Sequence, residues 1–256
     1  MILFLFIKIK KTIFTSIFIS LKLTFKIFTS FTIILIMVCD LPSCKSDSNK
    51  KKYDQGEITY EITYPKYKRK ESILFKVLPK KMITTFKNNC YKNDFVFTNE
   101  ALSLTIISDC NKKSTTLSYS DGARKKFTRV NSGNINQLLE NLPHYKISSQ
   151  KEEELKFLNL NSKKTELKCQ EEQTKFNIIS SSSILIENMN WCTPFYEVED
   201  AMLHYQMTQF GLNMEFKAIE INQKNINDKE FIIDESFQYE SLDEYINAIK
   251  MFFSIF

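Results

Sequence analysis

Residues 56–64, GEITYEITY, alternate without a break. Ile58, Tyr60, Ile62 and Tyr64 fall on one side; Glu57, Thr59, Glu61 and Thr63 fall on the other. A period of two residues marks a half-buried antiparallel strand, and Pro65 ends it. Strand-like runs recur at 73–78, 82–86, 95–97, 102–107 and 115–119. Asp121-Gly122 signals a hairpin. A two-residue loop there would set Leu117 opposite Lys126; a three-residue loop sets it opposite Phe127, the apolar match, so the longer loop is expected.

The clearest hairpin is 203–218, LHYQMTQFGLNMEFKA. With a two-residue loop at Phe210-Gly211, Met207 faces Met214, Tyr205 faces Phe216 and Leu203 faces Ala218. His204, Gln206 and Thr208 then face Lys217, Glu215 and Asn213. Every apolar side chain falls on one face, and a slip of one residue would destroy that separation. Past Ala218 the phase changes at Ile219 and Ile221, which predicts a bulge or a strand end.

Two segments carry helical spacing. Residues 134–142 are stopped by Pro143. In 241–256, Ser241 is a good N-cap with Glu244 at the capping-box position. Leu242, Tyr245, Ile246, Ile249, Phe252, Phe253 and Phe256 form one apolar stripe. Many strands, few helices and a helix at the end predict a mainly β (α+β) fold. The expected architecture is a curved antiparallel sheet or half-open β-barrel, covered by a few helices, with a C-terminal helix.

The first 43 residues differ in kind. No acidic residue precedes Asp40, while Lys8, Lys10, Lys11, Lys22 and Lys26 do, and 27–39 is uncharged. A basic stretch before a short apolar run is the pattern of a secretory signal. The run is too short to span a bilayer comfortably. Leu41-Pro42-Ser43-Cys44 then reads as a lipobox, with an aliphatic residue at −3, a small one at −1 and the cysteine that takes the lipid. Cys39 is the rival, behind the bulkier Val38. The expected organisation is a lipoprotein signal peptide at 1–43, a polar tether at 44–55 and one antiparallel β domain at 56–256. Two or more acyl chains, at about 0.8 kcal/mol per buried CH₂, make a stable anchor, whereas one is marginal.

Removing 1–43 also removes four of the five net positive charges, because that segment holds five Lys and one Asp. The remaining chain is close to neutral, which excludes the basic face that nucleic acid requires. Of six cysteines, Cys90, Cys110, Cys169 and Cys192 belong to the domain. An even number in an oxidising compartment permits two disulfides in three connectivities; buried free thiols are the plainer reading.

No motif points to catalysis. Four glycines, widely separated, cannot form a phosphate-cradling loop, and there is no G-x-S-x-G elbow. His144 and His204 lack catalytic neighbours in the sequence. Glu197, Glu199 and Asp200 are the one dense acidic group, without an EF-hand loop. Neither a cofactor nor a metal is expected. Trp191 reads as a packing plug.

The segments LPSCKSDSNKKK, YDQGEITYEITYP, LPKKM, LPHYKI and NMNWCTPFYEVEDAMLHYQMTQFGLNMEFKAIEI resemble uncharacterised Bacteroidota lipoproteins with a DUF4412-type domain, distantly similar to LolA/LppX-like carriers. Ala201, where the family tends to have Gly, and NSKKTELKCQEE, where it has a glycine-containing segment, depart from that pattern. The resemblance implies a half-open barrel with a helical lid over an acyl-chain cavity, a lipid on Cys44 and, with Lys45 following, the outer membrane. It brings no catalytic residues. The expected function is a non-catalytic envelope lipoprotein that binds a lipid or acyl chain through Tyr205, Met207, Met214 and Phe216. The alternative is a structural or assembly lipoprotein in which that face is packed core. No protein partner is indicated.

Overall fold

The structure is a computed structural model that describes residues 51–67, 73–148, 153–209 and 212–253. The expected signal segment at 1–43, Cys44, and the expected turn at 210 and 211 lie outside these residues. The chain from Lys50 onward forms a compact unit with its own core.

The strands are β1 (Gln55–Thr63), β2 (Lys81–Lys87), β3 (Cys90–Val96), β4 (Leu102–Asp109), β5 (Ser114–Asp121), β6 (Lys125–Asn131), β7 (Tyr145–Ile147), β8 (Glu153–Phe157), β9 (Leu160–Cys169), β10 (Lys175–Ser181), β11 (Ala201–Gln209), β12 (Leu212–Asn222) and β13 (Gln238–Tyr239). The helices are α1 (Ile73–Val77), α2 (Ile135–Leu139) and α3 (Leu242–Phe253). The strands make one 13-stranded sheet of order β13-β6-β5-β4-β3-β2-β1-β12-β11-β10-β9-β7, with β8 also on β9. Two antiparallel meanders, β1 to β6 and β9 to β12, are therefore joined where β1 pairs with β12. Among the described residues the sheet does not close, and of its strands only β13 runs parallel to its neighbour.

In β1 the alternation seen in the sequence becomes burial: Ile58, Tyr60 and Ile62 are at most 2% exposed. Gly56, the second residue of this strand, has φ +155°, and a Cβ there would run into the carbonyl oxygen of Asn222 on the neighbouring strand, so a larger residue is strained. The β11–β12 register pairs Tyr205 with Phe216 and Met207 with Met214, as the alternation requires. Against β1, β12 loses register between the partners Ala218 and Glu220. Ile219 is left over as a bulge, 45% exposed.

Two local readings differ. Residues 73–77 are helical, not extended: a short apolar run carries too little periodicity to decide. Here Phe75 stacks on Tyr67 at 5.2 Å, and the Lys80 ammonium donates to the Phe75 carbonyl at 3.2 Å, capping the helix end. Pro79 then blocks continuation. The β5–β6 register is one residue beyond the expected one: Ser120 pairs with Lys125 and Leu117 with Thr128, not Phe127. The Asp121 carboxylate accepts from the N–H groups of Ala123 and Arg124 at 3.1 and 2.8 Å, with Gly122 at φ +87°. Phe127 thereby turns outward and packs on Tyr239 of β13.

The capping box of α3 forms in both directions. The Ser241 N–H donates to the Glu244 carboxylate at 2.9 Å, and the Glu244 N–H donates to Ser241 Oγ at 3.3 Å. Leu242, Tyr245, Ile246, Ile249 and Phe253 are buried; Tyr245 packs on Tyr119 of β5 at 5.7 Å.

Candidate functional site

The concave sheet face is made by alternate residues of β1 to β5, β11 and β12. Between that face, α3 and the 182–200 loop lies a cavity of about 180 Å³. Tyr60, Met82, Phe95 and Leu104 line it from the first meander. Tyr205, Met207, Met214 and Phe216 line it from the hairpin, so the four residues expected from the sequence share one wall. Ile246, Ile249 and Phe253 close it from α3.

Aromatic packing shapes that wall. Tyr205 stacks on Phe216 with ring centroids 4.8 Å apart and planes 6° apart. Tyr60 and Phe195 meet Tyr205 edge-on at 6.3 and 5.6 Å, and Phe95 meets Phe216 edge-on at 6.3 Å. Phe216 and Met214 are buried, whereas Tyr205, Met207, Phe95, Leu104 and Ile106 keep some free surface although they pack against the core. Side chains at the centre of a filled interior keep none. These five line the cavity.

The volume gives a scale. An apolar cavity of about 150 Å³ takes up benzene, and pockets for larger small molecules run from roughly 300 to 1,000 Å³. A second cavity of about 270 Å³ lies on the far side of Leu104, Ile249 and Phe253, which line both. A movement of α3 that withdrew Ile249 and Phe253 would join the two.

The 182–200 loop is tied down by polar groups. Asn190 donates to the carbonyls of Val198 and Asp200 at 2.7 and 3.1 Å. The Trp191 indole N–H donates to Ser108 Oγ at 3.0 Å, and Ser108 shares a 2.9 Å bond with Thr115. Trp191 thus plugs the loop onto β4. All four domain cysteines are free thiols; burial pushes Cys110 up to about 12 and Cys192 up to about 11, which keeps both protonated and weakly nucleophilic.

Among the described residues that line the first cavity none carries a charge. The histidines lie elsewhere. His144 Nδ1 meets Glu171 at 2.5 Å. Burial works against the Glu171 carboxylate, but hydrogen bonds from the His144 ring and N–H outweigh it and hold the group at about 2. His204 bonds Glu215 at 2.7 Å on the polar side of the hairpin. Glu197 accepts the Ile147 N–H, and among the described residues no group of three or more His, Cys, Asp or Glu is placed to hold a metal ion.

The sequence reading missed Tyr91 and Asn93, which line the cavity from β3. Their signal was the alternation of Tyr91, Asn93 and Phe95, obscured because a polar Asn occupies an inward position.

No family model matches the chain, and no curated protein matches it. Among solved structures, that of PNGF-II superposes with a TM-score of 0.46 at 12% identity, over 77% of this chain and 33% of the PNGF-II chain. The chain therefore spans about a third of that protein's length.

Proposed function

We propose that this chain is a non-catalytic envelope lipoprotein, anchored through a lipid on Cys44 to the outer membrane, that holds an apolar ligand, a lipid or acyl chain, between its curved sheet and α3. One observation supports the ligand part above all: apolar side chains from two separate meanders and a helix converge on space they leave unfilled. A cavity of about 150 Å³ takes up benzene, so this one has room for about six carbon groups. At about 0.8 kcal/mol each these contribute about 5 kcal/mol before the costs of association are subtracted. A longer chain gains more by extending into the second cavity. The basic leader, the lipobox and the resemblance to DUF4412-type lipoproteins support the anchor.

Native mass spectrometry of residues 50–256, purified without detergent, tests the reading. The expected result is an adduct of lipid mass that organic solvent strips away. A bare chain that also fails to take up an apolar reporter dye would move the function to the outer surface, as a structural or assembly lipoprotein.

A further inference from the structure

The proposed cavity is not uniformly apolar, and its polar side chains are hydroxyls and amides without charge. Tyr205 stands in the middle of the aromatic wall, deep in the domain, and its hydroxyl has no hydrogen-bond partner among the described residues. The hydroxyls of Tyr60 and Tyr91 are near enough to act on it electrostatically, but Tyr60 donates instead to the Met202 carbonyl at 2.8 Å. Asn93 lies on the same face. Its Oδ1 accepts from Thr84 Oγ1 at 2.7 Å, which leaves the amide N–H₂ without a protein acceptor among the described residues. Neither atom is sealed in: among the described residues the fully buried side-chain atoms without a partner are Thr128 Oγ1, Asn213 Oδ1 and Glu240 Oε1, so the Tyr205 hydroxyl and the Asn93 amide open onto the cavity, which Gln209 and Tyr245 also line. A ligand that displaced water there without replacing its hydrogen bonds would leave those donors unpaired, at about 1–3 kcal/mol each.

Both are donors that stay neutral. Burial pushes the Tyr205 phenol well above its usual range, and an amide does not titrate. No lysine, arginine or histidine lines the cavity among the described residues, and Arg124, which lines the second cavity, is already paired with Asp121 at 2.6 Å. A carboxylate placed there would lose its water with no cation to offset the loss. Resting on the ligand reading above, we propose that the cavity selects an uncharged lipid with a carbonyl oxygen within its apolar body, an ester, amide or quinone, and that Tyr205 O–H and Asn93 N–H₂ receive that oxygen. A free fatty-acid anion is then a poor ligand, and a plain alkane leaves both donors unpaired.

The test is displacement of N-phenyl-1-naphthylamine from residues 50–256 by methyl dodecanoate, dodecane and dodecanoate, each at pH 7 and pH 9. Methyl dodecanoate is expected to bind best, with the same affinity at both pH values. Dodecanoate should bind at least tenfold more weakly at pH 9. Tyr205→Phe keeps the stack on Phe216 and removes only the hydroxyl. It should weaken the ester by about threefold to tenfold and, by removing a donor that an alkane leaves unpaired, bind dodecane no less tightly. Dodecanoate binding as tightly as the ester at both pH values would overturn the selection for a neutral ligand. Equal affinity of ester and alkane, unmoved by Tyr205→Phe, would overturn the carbonyl contact. Either result leaves an apolar cavity standing. A dye that never binds overturns the ligand reading itself, and this inference with it.

Discussion

Met207→Trp separates an unfilled cavity from a packed core, because the two give opposite signs. Met207 lines the cavity and keeps free surface. The substitution adds roughly 60 Å³ of side chain, and at about 24 cal/mol per Å³ of cavity removed the gain is at most about 1.5 kcal/mol. Indole has room in about 180 Å³. In a tightly packed interior the same change would overpack, at a cost of about 1–3 kcal/mol. Urea unfolding of residues 50–256, followed by far-UV circular dichroism, measures the difference. With a slope of about 2 kcal/mol per M, the midpoint should rise by about 0.5 M. The second arm uses linkage: a ligand at a hundred times its Kd stabilises the wild type by about 2.7 kcal/mol, and Met207→Trp should lose that increment. A fall in midpoint, together with a wild type that methyl dodecanoate does not stabilise, would refute the cavity.

Gly56→Ala should cost about 2–4 kcal/mol, combining backbone strain with the clash against Asn222. Gly122→Ala, in an exposed loop, should cost about 1 kcal/mol; urea midpoints compare the two, and equal small effects would remove the steric account. The Glu171 carboxyl is held at about 2, below the ordinary glutamate value of 4.5. Its contribution is therefore present above pH 4.5 and is lost as pH falls from 4.5 toward 2. Both partners are about half exposed, so the effect is about 1 kcal/mol or less. Glu171→Gln should flatten that part of a pH–stability curve; an unchanged curve would mean that the pair contributes nothing. Cys44→Ser should abolish acyl labelling and release the protein from membranes, and labelling that persists would move the anchor to Cys39.

The hairpin of β11 and β12 was legible because strict alternation on both strands leaves one register in which apolar meets apolar. Its four residues gave one wall of the cavity for the same reason. The α3 boundary was legible in Ser241 and Glu244, since capping chemistry is local. The 73–77 helix was not, because its stabilising contacts with Tyr67 and Lys80 lie outside the run itself. The β5–β6 loop was misjudged by matching Leu117 to Phe127; the Asp121 carboxylate sets the loop length, and β13 covers Phe127 on the outer face. The opposite cavity wall depends on pairing between β1 and β12, a long-range choice that no window of sequence contains. The unpaired donors of Tyr205 and Asn93 appear only when every neighbour is in place.

The central position of β1 has a kinetic consequence. This first strand pairs with β2 at once, but its other edge waits for β12; Thr63 and Glu215, bonded across that seam, are 152 residues apart in the chain. While the chain is being made, β1 therefore presents a bare strand edge together with Ile58, Tyr60 and Ile62. Such an edge is open to pairing with another copy. Folding that must close so long a loop is slow, and the interval is the one in which aggregation competes. The protein needs protection from other copies until its last long strand arrives, and refolding yield should fall steeply with concentration.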